Sequence, residues 1–202
     1  KLRDECRRKI IDASINDEPK NAIILREGDS FVIEKEIQRT KVASNKEQML
    51  LDYIENAIKD GNMSVDISNI DCYEQPEIVS SDLEMVCAKL NKLKDCRFTF
   101  NFDYTKETLL GKDILNWITT DMQTKEEPFD VDYESVMKYV EESLAKKYDT
   151  YSEYNSRKFN STSHGTMMIK QGKGCYGWWL DQEKTCKALT NAIKNVKSAN
   201  IK

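Results

Sequence analysis

The sequence predicts an α+β fold, built as a mixed and mostly short-stranded sheet with several packed helices. Two patterns indicate this class: apolar residues recur at helical spacing in some segments and alternate strictly with polar residues in others. The 202 residues are 39% hydrophobic and 33% charged, as in a globular protein. No apolar run reaches the roughly 18 residues that a membrane span needs. Disordered, collagen-like and membrane-spanning classes are therefore excluded.

Helical stripes occupy six segments of the chain. Ser44 and Ser81 each begin a capping box, and Asp181 is expected to cap the last helix. Gly61 follows one stripe as a helix stop. The stripes run from Leu2 to Ala13, Leu50 to Ile58, Leu83 to Leu90, Leu110 to Ile118, Tyr133 to Leu144 and Cys186 to Val196.

Strands are predicted between these helices. The clearest runs over 96–102, where Cys96, Phe98, Phe100 and Phe102 alternate with polar residues. A second alternating stretch covers 63–68. Two hairpins are expected, one over 22–37 with its turn at 26–29, the other over 167–180 with its turn at 171–174. Helices and strands in this order predict helices packed on a sheet.

The chain is predicted to be a single α+β domain over residues 1–202 and part of a larger protein. The stretch 125–129 is the one candidate sub-boundary, because Lys125-Glu126-Glu127-Pro128 interrupts the regular patterns. It would separate an α/β part, 1–124, from a helical and hairpin part, 129–202.

The six cysteines favour buried free thiols. None forms a CxxC pair and the chain has one His, so a structural zinc site lacks its usual ligand spacing. Cys6, Cys87 and Cys186 lie on apolar helical stripes, where a thiol packs as a small apolar group. We therefore expect an intracellular, cytoplasmic location. Three disulfides in a secreted protein are the alternative.

Positive charge is concentrated near the end of the chain. Residues 146–202 carry 11 basic and 4 acidic side chains, net +7, whereas residues 61–145 carry 8 and 18, net -10. Such an imbalance indicates a charged partner. The abundance of Lys, Asn and Ile suggests a viral or protist source.

A cluster of glycines, lysines and aromatic residues lies in this basic region, over 170–179. Glycines allow close backbone approach, lysines neutralise phosphate and aromatic faces stack on bases. We therefore predict a non-catalytic interaction domain that binds a protein partner or single-stranded RNA and needs no cofactor. The alternative is a purely structural hairpin. The expected binding residues are Lys170, Lys173, Tyr176, Trp178, Trp179, Lys184 and Lys187.

A second candidate site lies on the first hairpin, where Glu34 and Glu36 would share one strand face. Two such carboxylates are ligands for Mg²⁺ or Mn²⁺, with Lys41 and Lys46 as companion bases. Residues from Lys1 to about Ile70 resemble the PD-(D/E)xK nuclease core, particularly that of viral cap-snatching endonucleases. The resemblance implies a metal-dependent nuclease, with Pro19-Lys20-Asn21 in place of the family's Pro-Asp.

A nuclease also needs a third carboxylate at Glu34 and Glu36. The candidates are Glu5, Asp17 and Asp66. If these residues lie elsewhere, the alternative is an ordinary hairpin with an exposed acidic face.

His164 is a third candidate, because it follows a run of hydroxyl residues and precedes Cys175 by eleven positions. A Cys-His pair across the second hairpin would be a nucleophile and its base. The alternative is a histidine in an ordinary loop.

Overall fold

The computed structural model confirms the α+β class, with 41% of the chain helical and 21% in strands. It describes residues 1–102, 105–120, 124–151, 156–172 and 177–201. The chain forms two compact units whose segments interleave along the sequence. The first comprises Lys1–Arg26, Val32–Cys87 and Thr124–Glu126; the second comprises Glu27–Phe31, Ala88–Gln123 and Glu127–Lys202. Whether they act as one domain stays a prediction.

The first unit is built around a helical core. Helix α1 (Leu2–Cys6) continues through a π-helical stretch, Arg7–Ile11, into the short α2 (Asp12–Ser14). Helix α3 (Glu47–Lys59) follows the predicted stripe, but no described side chain caps it, so the capping box at Ser44 does not form. The buried cluster consists of Ile11, Val42, Leu50, Leu51, Ile54 and Cys72.

The first hairpin forms as predicted, with β1 (Ile23–Glu27) and β2 (Ser30–Glu34) joined by a two-residue turn. Gly28 has a φ of 61° in that turn, a left-handed conformation that glycine adopts without steric cost. Strand β2 ends at Glu34. Glu36 therefore lies beyond the strand, and strand geometry does not align the two carboxylates on one face.

The strand predicted over 63–68, a stretch that the structure describes throughout, does not form. Instead, the Asp66 carboxylate accepts hydrogen bonds from the Ser68 N–H (2.9 Å) and the Ser68 hydroxyl (2.6 Å). Such a side-chain bond closes a turn and competes with strand geometry. The next helix, α4 (Ser80–Leu90), forms where expected. Its Asp82 carboxylate accepts a hydrogen bond from the Val79 N–H (3.1 Å).

The second unit contains a mixed three-stranded sheet. Strand β3 (Arg97–Asn101) lies between β4 (Lys106–Leu110), which is antiparallel, and the last strand, β9 (Ala199–Ile201), which is parallel. Phe98 pairs with Leu109 on one side and with Ala199 on the other. Phe98 and Phe100 are both buried, as the alternation predicts.

The regular α-helix predicted from Leu110 to Ile118 does not form. The segment is a 3₁₀ helix, Gly111–Trp117, followed by β5 (Ile118–Thr119), which pairs with β6 (Asp130–Val131). Gly111 explains part of this difference: a Cβ there would lie 1.7 Å from the Leu93 carbonyl oxygen. The close backbone contact, rather than an apolar stripe, determines the local path.

The helices of the second unit form at the predicted apolar stripes and bury residues of those stripes. Helix α5 (Tyr133–Tyr139) passes through a π-helical stretch, Val140–Ala145, into α6 (Lys146–Tyr148). Helix α7 (Gln182–Lys194) is capped by Asp181, whose carboxylate accepts the Lys184 N–H at 3.0 Å, which confirms the predicted cap.

The hairpin predicted over 167–180 does not form, because its first strand pairs with a different segment. Strand β8 (Gly165–Ile169) is antiparallel to the preceding strand, β7 (Arg157–Ser161). Its turn contains His164, and Gly165 has a φ of 68°. The described residues 177–180 form no strand, and 173–176 lie outside the described residues.

Five cysteines in the described ranges are free thiols: Cys6, Cys72, Cys87, Cys96 and Cys186. All except Cys6 are buried, which agrees with the predicted packing role. Within the same ranges, no helix combines the length and hydropathy that a bilayer crossing requires.

We expect Phe98→Ala to lower the free energy of unfolding by about 3–5 kcal/mol, because the 0% exposed ring would leave a cavity. Phe159→Ala is the matched control, since that ring is 49% exposed. Urea titration followed by circular dichroism measures both variants. Equal losses in the two variants would contradict the assigned core.

Candidate binding cleft in the second unit

Trp178 and Trp179 lie at a cleft of about 230 Å³ in the second unit. The two indoles are 62% and 66% exposed. Polar and aromatic side chains supply the rest of its surface. The lining residues are Asn101, Phe102, Tyr148, Asp149, Trp178, Trp179, Leu180, Asp181, Lys184 and Thr185.

Hydrogen bonds to residues 149–151 hold the tryptophan segment in place. The Trp178 carbonyl accepts the N–H groups of Thr150 (2.8 Å) and Tyr151 (2.9 Å). In return, the Trp178 N–H donates to Thr150 Oγ1 (3.1 Å). The Leu180 N–H donates to Asp149 Oδ1 (2.8 Å). The described residues 177–180 have no regular secondary structure, so these four bonds determine where the indoles lie.

Gly177 makes this close approach sterically allowed. Its φ is 114°, and a Cβ at this position would lie 2.2 Å from the Thr150 carbonyl oxygen. Both features require glycine, because other residues rarely adopt this conformation and none would fit the space.

Asp149 lies where a helix ends and the cleft begins. Its N–H donates to the Ala145 carbonyl (2.8 Å), which closes the last helical turn before the chain becomes extended. Burial raises the pKa of the Asp149 carboxyl above its usual value, and the hydrogen bond from the Leu180 N–H opposes this shift. Burial raises the pKa because it disfavours the charged form.

An aromatic pair forms another part of the cleft. The rings of Phe102 and Tyr148 are stacked, with centroids 4.2 Å apart and planes 19° from parallel. The Tyr148 hydroxyl donates to the Glu107 carboxylate, which also pairs with Lys147 Nζ at 2.7 Å. Hydrogen bonds from Lys147 and then Tyr148 lower the pKa of Glu107. This network keeps the Tyr148 ring in one orientation.

The structure brings together part of the binding set predicted from the sequence. Trp178, Trp179 and Lys184 line the cleft. Lys187 does not line it, and its ammonium pairs with Glu183. Lys170 follows β8 and is not a lining residue. Lys173 and Tyr176 lie outside the described residues.

Sequence reasoning missed six lining residues, namely Asn101, Phe102, Tyr148, Asp149, Leu180 and Thr185. Each belongs to an element that was assigned a packing role or no role. Asp181 was recognised as a helix cap, but not as part of a site. A helix ending at Asp149, followed by Thr150, was the available clue, because helix ends bring polar side chains to a surface.

Glu36, one of the two carboxylates proposed for a metal site, is engaged elsewhere. The Glu36 carboxylate accepts the Ser80 hydroxyl and the Ser80 N–H (2.8 Å), and the hydroxyl contributes most to its lowered pKa. Lys41 pairs with Glu18 (2.6 Å) and Glu74 (3.2 Å).

Lys46 and the three candidates for a third carboxylate also have separate partners. Lys46 pairs with Asp71 (2.8 Å), and Glu5 pairs with Lys9 (3.0 Å). Asp17 binds Thr40 and Arg39, and Asp66 binds Ser68. Across the described residues, no three His, Cys, Asp or Glu side chains are placed to hold a metal ion.

One member of the predicted Cys-His pair, Cys175, lies outside the described residues, so the pair stays a prediction. His164 is at the turn of the β7–β8 hairpin, where its Nδ1 lies 2.8 Å from Ser163 Oγ. Burial raises the pKa of four other thiols, those of Cys72, Cys87, Cys96 and Cys186. A raised pKa suppresses the thiolate, which is the nucleophilic form.

We expect Gly177→Ala to destabilise the second unit by at least about 2 kcal/mol, from left-handed strain and a backbone clash. Gly172→Ala is the matched control, since its nearest neighbour to an added Cβ is 3.9 Å away. Thermal unfolding measures the difference between the two variants. A fully stable Gly177→Ala variant would refute the docked arrangement of residues 177–180.

The raised pKa of Asp149 predicts a pH effect with a defined sign. Because the folded state holds this proton more tightly than the unfolded state, stability from this group decreases as pH rises from the usual value near 3.8. In Asp149→Asn, which keeps an acceptor for the Leu180 N–H, this decrease should be absent. Urea unfolding of both proteins between about pH 3 and 7 gives the comparison. Parallel pH profiles would contradict the prediction.

The sequence matches no known family model and no curated protein. Two solved structures show similarity to the chain. The first is the "Ldtfm-avibactam carbamoyl enzyme", with 25% identity over 59% of this chain and 44% of that one, at a TM-score of 0.48. The second is an Enterococcus faecium L,D-transpeptidase C442S mutant, with 26% identity over 56% and 42%, at a TM-score of 0.45.

The chain thus spans less than half the length of either solved structure. Both structural neighbours are L,D-transpeptidases, which cross-link peptidoglycan. An RNA- or protein-binding interaction domain does not fit these neighbours, and neither does a viral protein or a metal-dependent nuclease. The functions predicted from the sequence are therefore wrong.

Proposed function

We propose that the second unit binds a saccharide-containing polymer of the peptidoglycan type in the tryptophan cleft. The observation that carries this proposal is the pair of exposed, adjacent indoles, Trp178 and Trp179, beside a cleft with several polar groups. Large exposed aromatic side chains more often mark a binding surface than an accident of packing.

The chemistry of the cleft suits a sugar ring. A pyranose has a flat face of C–H groups, which packs against an aromatic ring, and an edge of hydroxyl groups, which needs hydrogen-bonding partners. Trp178 and Trp179 supply the aromatic surfaces. Asn101, Asp149 and Asp181 supply amide and carboxyl groups beside them. A few polar groups among apolar surfaces are typical of small-molecule sites.

The same residues disfavour a phosphate-bearing ligand. Among the described residues, Asp149 and Asp181 line the cleft together with one cation, Lys184. Phosphate binding depends on an excess of cationic groups, and each ionised carboxylate repels the ligand. This charge balance favours a ligand whose recognised groups are neutral hydroxyls and amides.

The cleft is ordered before a ligand arrives. Hydrogen bonds to Thr150 and Asp149 hold the backbone of residues 178–180, and the Tyr148 ring is held by Phe102 and Glu107. Binding therefore orders few main-chain or ring groups, which lowers its entropic cost.

Peptidoglycan is the polymer on which the two structural neighbours act, and its glycan strands carry pyranose rings with amide groups. A role in recognising this polymer would place the domain outside the cytoplasm, in contrast to the location predicted from its cysteines. The proposed role is binding, because exposed indoles and polar side chains line the cleft together.

We expect the full chain to cosediment with purified, insoluble peptidoglycan. Trp178→Ala and Trp179→Ala should each weaken binding about tenfold, which corresponds to about 1.4 kcal/mol per ring. Tyr53→Ala is the control, because Tyr53 is an exposed aromatic residue of the first unit, outside the cleft.

A titration with an N-acetylglucosamine oligosaccharide, followed by tryptophan fluorescence, tests the sugar separately from the peptide. Absence of wild-type binding in both assays would refute the proposal. So would tryptophan variants that bind as tightly as the Tyr53→Ala protein. Circular dichroism of each variant checks that its fold is intact.

A further inference from the structure

The first unit has a groove of its own, with a volume of about 630 Å³. The groove is lined by residues 9, 10, 13, 14, 38–40 and 65–68 together with Tyr73. This volume is within the range of about 300–1,000 Å³ that small-molecule sites occupy. The peptidoglycan proposal concerns the second unit and does not involve this groove.

The groove combines apolar walls with a few charged groups. Ile10, Val65 and Ile67 supply apolar surface, while Arg39 and Lys9 supply positive charge. Such a combination suits a ligand that has a short apolar part and an anionic group.

Arg39 is the group best placed to recognise an anion. Its Nη1 donates to Asp17 Oδ1 at 3.0 Å, whereas its Nε is buried and has no hydrogen-bond partner among the described residues. The side chain remains 37% exposed and lines the groove. The buried Nε–H cannot reach a ligand, but the bond to Asp17 uses only one of the four N–H donors on the two Nη atoms.

Asp17 fixes the position of Arg39 at the groove. The Asp17 carboxylate also accepts the Thr40 hydroxyl (2.5 Å) and the Thr40 N–H (2.9 Å). These bonds, led by the Thr40 hydroxyl, lower the pKa of Asp17 to about 2. Asp17 is thus ionised at neutral pH, and its bonds to Thr40 and Arg39 keep the guanidinium in a fixed position at the groove.

We propose that this groove binds a small monocarboxylate, whose carboxylate pairs with Arg39 and whose apolar part contacts the wall of Ile10, Val65 and Ile67. The planar fork of an arginine matches a carboxylate in geometry, and such charge-assisted hydrogen bonds are among the stronger ones. The ligand class includes acylated amino acids and the carboxyl ends of short peptides.

Asp66 limits the ligand to a single negative charge. It lines the same groove, and its hydrogen bonds from Ser68 keep it ionised by lowering its pKa. Lys9, the second cation of the lining, has Glu5 as a partner at 3.0 Å. The second carboxylate of a dicarboxylate ligand would therefore be repelled by Asp66, and Lys9, already paired with Glu5, would offset this repulsion only in part.

Calorimetric titration of the full chain with N-acetylalanine, compared with N-acetylalaninamide, tests the proposal. The acid should bind at least about tenfold more tightly than the amide, as expected for the loss of a charge-assisted pair. Arg39→Gln should lose this preference. The control Arg8→Gln, which changes an exposed arginine of the same unit outside the groove lining, should keep it. Asp66→Asn should strengthen binding of the acid, because it removes a repulsive charge.

Two further variants distinguish loss of the Arg39 contact from loss of the folded structure. Asp17→Asn removes the charge that pairs with Arg39 but keeps the guanidinium, so it should still bind the acid. Arg39→Lys keeps the charge without the fork and should bind more weakly with unchanged circular dichroism. Equal binding of acid and amide by the wild type, no binding of either, or weaker binding in Asp66→Asn would overturn the proposal. Trp178→Ala should leave this binding unchanged, which separates it from binding in the tryptophan cleft.

Discussion

The tryptophan cleft depends on one long-range interaction, the attachment of residues 177–180 to residues 149–151. These segments are about thirty positions apart, and four hydrogen bonds join them. Because the tryptophan segment has no helix or strand of its own, its conformation follows from this attachment. Gly177 permits the contact, since any larger residue would collide with the Thr150 carbonyl. Two large apolar rings can therefore remain exposed at a defined place.

Two aspartates serve both the fold and the cleft. Asp149 follows the end of α6, and Asp181 caps the start of α7, so the cleft lies between one helix end and another helix start. Each carboxylate already accepts a backbone N–H. A helix start leaves N–H groups that need partners. The Asp181 carboxylate satisfies one of them in α7, and the Asp149 carboxylate accepts the N–H of Leu180, just before that helix.

The carboxylates of the first unit show why a plausible residue set does not make a site. Glu36, Asp17 and Asp66 each bind hydroxyl and N–H donors near them, and these bonds form turns and connections. A carboxylate used in this way is held apart from others, whereas a metal site needs several to converge. Arg39 differs, because its hydrogen bond to Asp17 uses one of its Nη donors and its side chain is partly exposed at the groove. The guanidinium therefore keeps donor capacity at the groove.

Periodicity alone determined the α+β class, the stripes of α3, α4, α5 and α7, the alternation in β3 and the Asp181 cap, because these depend on neighbours within one helical turn or one strand. Specific hydrogen bonds and backbone contacts, some local and some between distant residues, decided the rest. The Asp66 side-chain bonds replaced a strand, the contact between Gly111 and Leu93 replaced an α-helix, and β8 paired with β7 rather than with the tryptophan segment. Trp178, Trp179 and Lys184 could be predicted as binding residues from the sequence, because they lie in or near a basic segment rich in aromatic residues. Asp149, Tyr148 and Asn101 could not, because only the folded chain brings residues so far apart in sequence to one cleft.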